Sequence, residues 1–143
     1  MKNKKNIIFL KINNYSSLKI PYAQSLISAG FPSTAENFVE NILSLDELMI
    51  KSPSSTFFVR VLGNSMSPTI NNNDILIVDK SLVASNNKIC VVRINDEFMV
   101  KRVLLGGSNI KLIADNKDYN ETIVTSEMDF EIWGVVTFII HQA

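Results

Sequence analysis

From Thr56 onward the apolar residues fall into short runs divided by polar turns, the spacing of strands rather than helices. Phe57-Phe58-Val59-Arg60-Val61-Leu62 is aromatic and β-branched, and Ile75-Leu76-Ile77-Val78 is short and wholly apolar. Ile89 to Ile94, then Asn95-Asp96, then Phe98 to Val103 reads as a β-hairpin. Gly106-Gly107 turns the chain into Ile110 to Ala114, and Ile132 to Ile140 closes the set. Short strands at this spacing predict a compact, mainly β domain with many strands.

Upstream the pattern is different. Residues 1–33 hold little sustained periodicity and end in Ser28-Ala29-Gly30-Phe31-Pro32-Ser33, where Gly30 and Pro32 punctuate the backbone. That predicts an extended, accessible segment. Ser33-Thr34-Ala35-Glu36 matches a capping box, and Phe38, Ile42 and Leu45 suit the apolar face of a short helix to about Leu43. A further turn after Ser44 would face Leu45, Leu48 and Met49 inward, and Lys51 to Ser55 reads as a linker.

Composition narrows the chemistry. The 143 residues suit one domain, or one domain with an arm, and 46% apolar with 20% charged residues is an ordinary globular mix. Fourteen basic and fourteen acidic residues cancel. Residues 1–28 nevertheless hold Lys2, Lys4, Lys5, Lys11 and Lys19 and no acid, so a basic arm precedes an acidic body. With Cys90 the only cysteine and His141 the only histidine, an intrachain disulfide and a Cys/His zinc cluster are excluded. Asp115, Asp118, Glu121 and Glu127 lack metal-site spacing, so neither metal nor cofactor is expected. The apolar run Ile7 to Leu10 stops at Lys11, too short for a signal peptide, and no stretch nears the ~18 apolar residues of a membrane span. The expected location is the cytoplasm.

Two features can carry chemistry. Gly63-Asn64-Ser65-Met66-Ser67-Pro68-Thr69 follows a strand; its glycine allows a tight turn, and Pro68 stops the strand from continuing. Such a turn can expose the Ser65 hydroxyl and free neighbouring N–H groups for an oxyanion. The same composition also suits an ordinary loop. The second feature is Lys101. Alternation puts Glu97, Met99, Lys101 and Val103 on one strand face and Phe98, Val100, Arg102 and Leu104 on the other, so each face carries one cation among apolar neighbours. A buried lysine can lose its proton, whereas arginine cannot; a snorkelling surface lysine fits the pattern too.

Jointly these residues resemble a known family. Gly63-Asn64-Ser65-Met66 with Pro68, then Asp74 to Asp79, then Glu97-Phe98-Met99-Val100-Lys101-Arg102 is similar to the serine–lysine self-cleaving peptidases of the LexA/UmuD group, peptidase S24-like, and most to the UmuD type. The similarity runs from about Ser25 to Val136 and implies a LexA/signal-peptidase-like β fold. Only about 28 residues precede the cleavage region, too few for the DNA-binding domain of a repressor. Ala29 to Ala35 resembles the UmuD cleavage region, and Ala29-Gly30 is the only Ala-Gly pair. The resemblance divides the chain into a cleavable arm (1–29), a short helix and linker (30–55) and a peptidase β domain (56–143).

It also implies roles. Ser65 would be the nucleophile, neutral Lys101 the general base, and the backbone N–H groups of Ser65 and Met66 the oxyanion donors, acting on the chain's own Ala29–Gly30 bond. Asn64 stands where UmuD-type sequences often have aspartate, which alters the charge beside the nucleophile. The implied partners are a second copy of the chain, the RecA filament on single-stranded DNA that stimulates cleavage in the SOS response, and a UmuC-like Y-family polymerase in error-prone lesion bypass. Type I signal peptidases share a Ser-Met-x-Pro-Thr box but are normally membrane-anchored. A non-catalytic dimeric module docking polymerase and filament is the alternative from another class. Sequence-specific DNA binding is not expected of an acidic body without a recognition helix. Cys90 reads as a small core residue, Trp133 as core or dimer contact, and Met66 as packing beside the site.

Overall fold

The computed structural model describes residues 6–10, 20–23 and 39–143. The chain divides into two compact units, Met1–Ile12 with Ser52–Ala143, and Asn13–Lys51. Among the described residues the elements run β1 (Ile7–Leu10), β2 (Ile20–Ala23), β3 (Val39–Leu43), helix α1 (Leu45–Met49), a 3₁₀ turn (Pro53–Ser55) and β4 (Thr56–Val61). They continue with β5 (Ile75–Asp79), β6 (Lys88–Ile94), β7 (Glu97–Leu104), β8 (Lys111–Ile113), β9 (Thr122–Ile123) and β10 (Phe130–Ile140).

The larger unit is one antiparallel sheet in the order β1-β4-β5-β10-β6-β7-β8-β9. The mainly β domain expected from the apolar runs is present. Asn95, at positive φ (53°), makes the tight turn between β6 and β7, whose pairing runs from Ile94 opposite Glu97 to Lys88 opposite Val103. β10 is shared: its first half pairs with β6 and its second with β5, with register breaks between Ile132 and Gly134 and between Val136 and Phe138.

Those breaks accompany a curl. The first strand of the sheet meets the sixth: the Phe9 and Phe98 rings lie 5.1 Å apart, and Asn6 Nδ2 donates to Glu97 Oε1 at 2.9 Å. Inside lies a cluster of Ile7, Val59, Val61, Met66, Ile70, Leu76, Val78, Val91 and Val100. Period-2 alternation sends Cys90 and Val92 to the other face, where they pack with Val103, Leu112 and Val135. Cys90 is fully buried, as expected, and burial pushes its thiol up to about 11. Trp133 packs against Phe9, Phe57 and Phe98.

In the smaller unit β2 and β3 form an antiparallel pair, Ile20 opposite Leu43 and Ala23 opposite Val39. This corrects the helix expected to Leu43: Val39–Leu43 is strand. The spacing of Phe38, Ile42 and Leu45 suits a helix face and not an alternating strand, but Val39 and Ile42 are β-branched, and pairing with β2 supplies the backbone partners. The capping box at Ser33 lies outside the described residues. The turn expected after Ser44 is α1, with Ser44 Oγ accepting the Glu47 N–H at 3.1 Å and Asp46 and Glu47 facing the helix N-terminus. None of its residues is fully buried: Leu48 and Met49 are half-buried, and Leu45, expected to face inward, is exposed.

Ile7–Leu10, read from sequence as part of an arm, is the first strand of the sheet. No described helix is long and apolar enough to cross a membrane.

Candidate functional site

The loop carrying Ser65 leaves β4 and returns to β5 almost as a hairpin would. The Val61 N–H donates to the Asp74 carbonyl (2.9 Å) and the Asn73 N–H to the Val61 carbonyl (2.8 Å), so residues 62–73 form a closed loop. Gly63, at φ +96°, takes the left-handed turn that an L side chain would strain, and its N–H donates to Asn72 Oδ1 at 2.8 Å. Two further bonds tighten the turn, Ser67 N–H to the Asn64 carbonyl (3.1 Å) and Ile70 N–H to the Met66 carbonyl (2.9 Å).

Met66 and Ile70 drop into the core, leaving Ser65 half-buried above it. The base is held by buried Asp74, whose Oδ2 accepts the Asn71 N–H at 2.8 Å and whose Oδ1 lies 2.7 Å from His141 Nδ1. Among the described residues the Ser65 hydroxyl has no hydrogen-bond partner, and the N–H groups of Ser65 and Met66 have no acceptor.

Lys101 projects from β7 opposite Cys90, on the face that holds Val92 and Val103. Burial holds its ammonium below the ordinary lysine range, and the charge of Glu97 only partly opposes this. Its Nζ lies 5.6 Å from the centre of the Tyr119 ring, and among the described residues it has no ion pair. Arg102, on the opposite face, has its charge neutralised by Asp115: Nε to Oδ1 at 2.9 Å and Nη2 to Oδ2 at 2.7 Å. Each of the two adjacent cations thus meets a different fate, one desolvated and the other paired.

The segment Asp115 to Tyr119 connects the two halves. Asp115 Oδ2 also accepts from Thr69 Oγ1 (2.7 Å), and the Asp115 N–H approaches Met66 Sδ at 3.5 Å. The Asn116 N–H donates to the Ser65 carbonyl (3.0 Å), and its Nδ2 to the Asn64 carbonyl (2.9 Å). Tyr119, whose N–H bonds back to the Asn116 carbonyl at 3.1 Å, carries the ring under Lys101. One short stretch therefore grips the Ser65 loop, touches Lys101 and pairs with Arg102. The Arg102 contact holds the Asp115 carboxyl below its usual range; burial opposes this and the Thr69 hydroxyl adds to it.

A half-buried free hydroxyl, two free N–H groups beside it and a desolvated lysine, tied together through one loop, are parts suited to acyl transfer without a metal or histidine. Residues 21–137 match the family described as Peptidase S24-like. The chain belongs to that family. It is similar to Protein MucA of Salmonella typhimurium and of Escherichia coli, 43% identical over 120 residues that cover 82% of this chain and 82% of each relative. Protein SamA of Salmonella typhimurium strain LT2 is 37% identical over 115 residues, 80% of this chain and 79% of the relative. The LexA repressor of Marinomonas sp. is 35% identical over 118 residues, 81% of this chain but 56% of the repressor. This S24 chain is UmuD-like, as the sequence resemblance implied, and a serine peptidase in kind.

The Ala29–Gly30 pair falls in sequence between β2 and β3, outside the described residues. Met66 packs beside Ser65, buried as expected. The connecting residues Thr69, Arg102, Asp115 and Asn116 were not singled out from sequence as site residues. A signal for one of them existed. An arginine beside a lysine on a strand that is apolar on both faces needs a carboxylate, and Asp115 is the acid just past the neighbouring strand β8.

Proposed function

We propose that this S24 chain is a self-cleaving serine endopeptidase that cuts its own Ala29–Gly30 bond, with Ser65 as nucleophile and Lys101 as general base. The observation that carries the reading is the Asp115–Tyr119 segment, which holds the Ser65 backbone through Asn116 and meets Lys101 through Tyr119. The neutral Lys101 Nζ takes the proton of the Ser65 hydroxyl as Ser65 Oγ bonds to the Ala29 carbonyl carbon and the carbonyl oxygen becomes an oxyanion. The oxyanion is stabilised by the N–H groups of Ser65 and Met66, which have no other acceptor among the described residues. Collapse breaks the bond to Gly30, whose amine takes the proton from Lys101. Water, deprotonated by Lys101, then hydrolyses the Ala29 ester on Ser65 and restores the hydroxyl. Small Ala29 and Gly30 allow the close approach that this attack requires.

By similarity to UmuD-type proteins, the cut follows contact with a RecA filament in the SOS DNA-damage response. The product works in the cytoplasm as a homodimer with a UmuC-like Y-family polymerase. A stimulated reaction fits a chain in which the scissile segment is seated only part of the time; the filament then raises the seated fraction.

The test is intact mass against time for the purified chain at neutral and alkaline pH, and with a RecA–single-stranded DNA filament. A single cut after Ala29 should accelerate as pH rises through the pKa of Lys101, which burial lowers from the ordinary lysine range, because only neutral Lys101 accepts the proton. Ser65→Ala and Lys101→Ala should stay whole. A wild-type chain uncut at every pH and with the filament supports the non-catalytic docking module instead.

A further inference from the structure

Residues 7–10 belong to the stretch that the proposed cleavage would cut away, yet they are built into the body. β1 pairs with β4 through four residues, Ile7 opposite Val61 to Leu10 opposite Phe58, and the Asn6 carbonyl accepts the Leu62 N–H at 2.8 Å. Among the described side chains of β1, two are seated. Ile7 is buried with Val59, Val61 and Met66, and the Phe9 ring lies edge-on to Trp133 at 4.7 Å and to Phe98 at 5.1 Å. A ladder of main-chain bonds with pockets for alternate side chains is how an extended peptide is recognised at a sheet edge.

The fit is incomplete. A cavity of about 740 Å³ lies along β1, lined among others by Ile8, Phe9, Ile94, Phe98, Met99 and Met128. Phe9 keeps 40% of its surface exposed beside it. Asp96 and Glu97 stand on the cavity wall, and no basic side chain lines it among the described residues. Lys5 and Lys11 flank the β1 segment in sequence, so the occupant pattern is aliphatic, any residue, aromatic, between basic residues.

We propose that the β4 edge with its aromatic seat is a strand-acceptor site. Ile7–Leu10 fill it in the intact chain, and once residues 1–29 are no longer attached it takes a partner's extended strand of that same pattern. The opening step rests on the self-cleavage reading; the site itself does not. Cutting the chain leaves the four-residue ladder in place, so the fragment departs by exchange with the incoming strand.

The probe is a labelled peptide of residues 4–12, and the receptor is the full-length chain. Ile7→Lys with Phe9→Lys unseats the chain's own β1, and Phe9→Ala is a milder variant that keeps the ladder. The peptide should bind the double variant at least about tenfold tighter than the unsubstituted chain, with an intermediate affinity for Phe9→Ala. Binding should change the emission of Trp133, the only tryptophan. A peptide with lysine in place of its Ile and Phe should not bind. Equal affinity for all three chains, binding to none of them, or binding without a change at Trp133 overturns the proposal. Self-cleavage plays no part in this measurement, so a chain that never cuts itself leaves the result interpretable.

Discussion

At Asp115 one carboxylate serves both sides of the candidate site, accepting two bonds from Arg102 on β7 and one from Thr69 on the Ser65 loop. Its side chain is only 13% exposed, and removing it leaves the Arg102 guanidinium without its carboxylate, bonded only to the Asn87 carbonyl among the described residues. Asp115→Ala should cost about 1–3 kcal/mol in denaturant unfolding at pH 7 and slow any self-cleavage. The pH dependence has a definite sign. The folded carboxyl is held below its unfolded value of ~3.9, so its contribution is full above that value and lost as pH falls through the folded pKa. The stability gap between wild type and Asp115→Ala should therefore close below pH about 4. A gap unchanged at pH 3 would mean that Asp115 acts through packing rather than charge.

Of the described glycines, Gly134 on β10 has the least room for a side chain. A Cβ at Gly134 would come within 2.6 Å of Val78 Cγ1, on a β-branched side chain with little rotamer freedom, with the Asp79 backbone close behind. Gly134→Ala should lower the denaturation midpoint by an amount equivalent to about 1–3 kcal/mol, with the m-value unchanged. The strands around it were legible because β-branched and aromatic runs with turns between them have few other solutions; the Asn95-Asp96 hairpin is the clearest example. The pattern had no power over β1. Four apolar residues between lysines look the same in a tail as in a strand, and the partner that distinguishes them, β4, begins 46 residues after β1 ends. Val39–Leu43 failed for a different reason, since its spacing suited a helix and the pairing with β2, which lies far off in sequence, overrode it. Ser65 and Lys101 stood out through local chemistry. Thr69 and Asp115 touch across 46 positions, a pairing that only the folded sheet creates.

Taken whole, the larger unit has protected middle strands and modest ends. Val78, Val91 and Val92 are fully buried on β5 and β6, whereas β1 and β9 are four and two residues long and end the sheet. Hydrogen exchange should find the amides of β5, β6 and β10 slowest and those of β1 and β9 first to exchange. Equal protection of β1 and β5 would contradict an exchangeable first strand. The same sheet order governs the candidate site. The Ser65 loop springs from β4 and β5 and Lys101 from β7, with β10 and β6 between. The gap between the two groups is thus a chord drawn across an arc, and its length follows how sharply β10 bends at its two register breaks. Crowding at Gly134, or a weight resting on exposed Ile139 and Ile140 at the far end of β10, would open or shorten that chord. Either would act on the proposed chemistry from a distance while leaving Ser65 and Lys101 themselves unchanged.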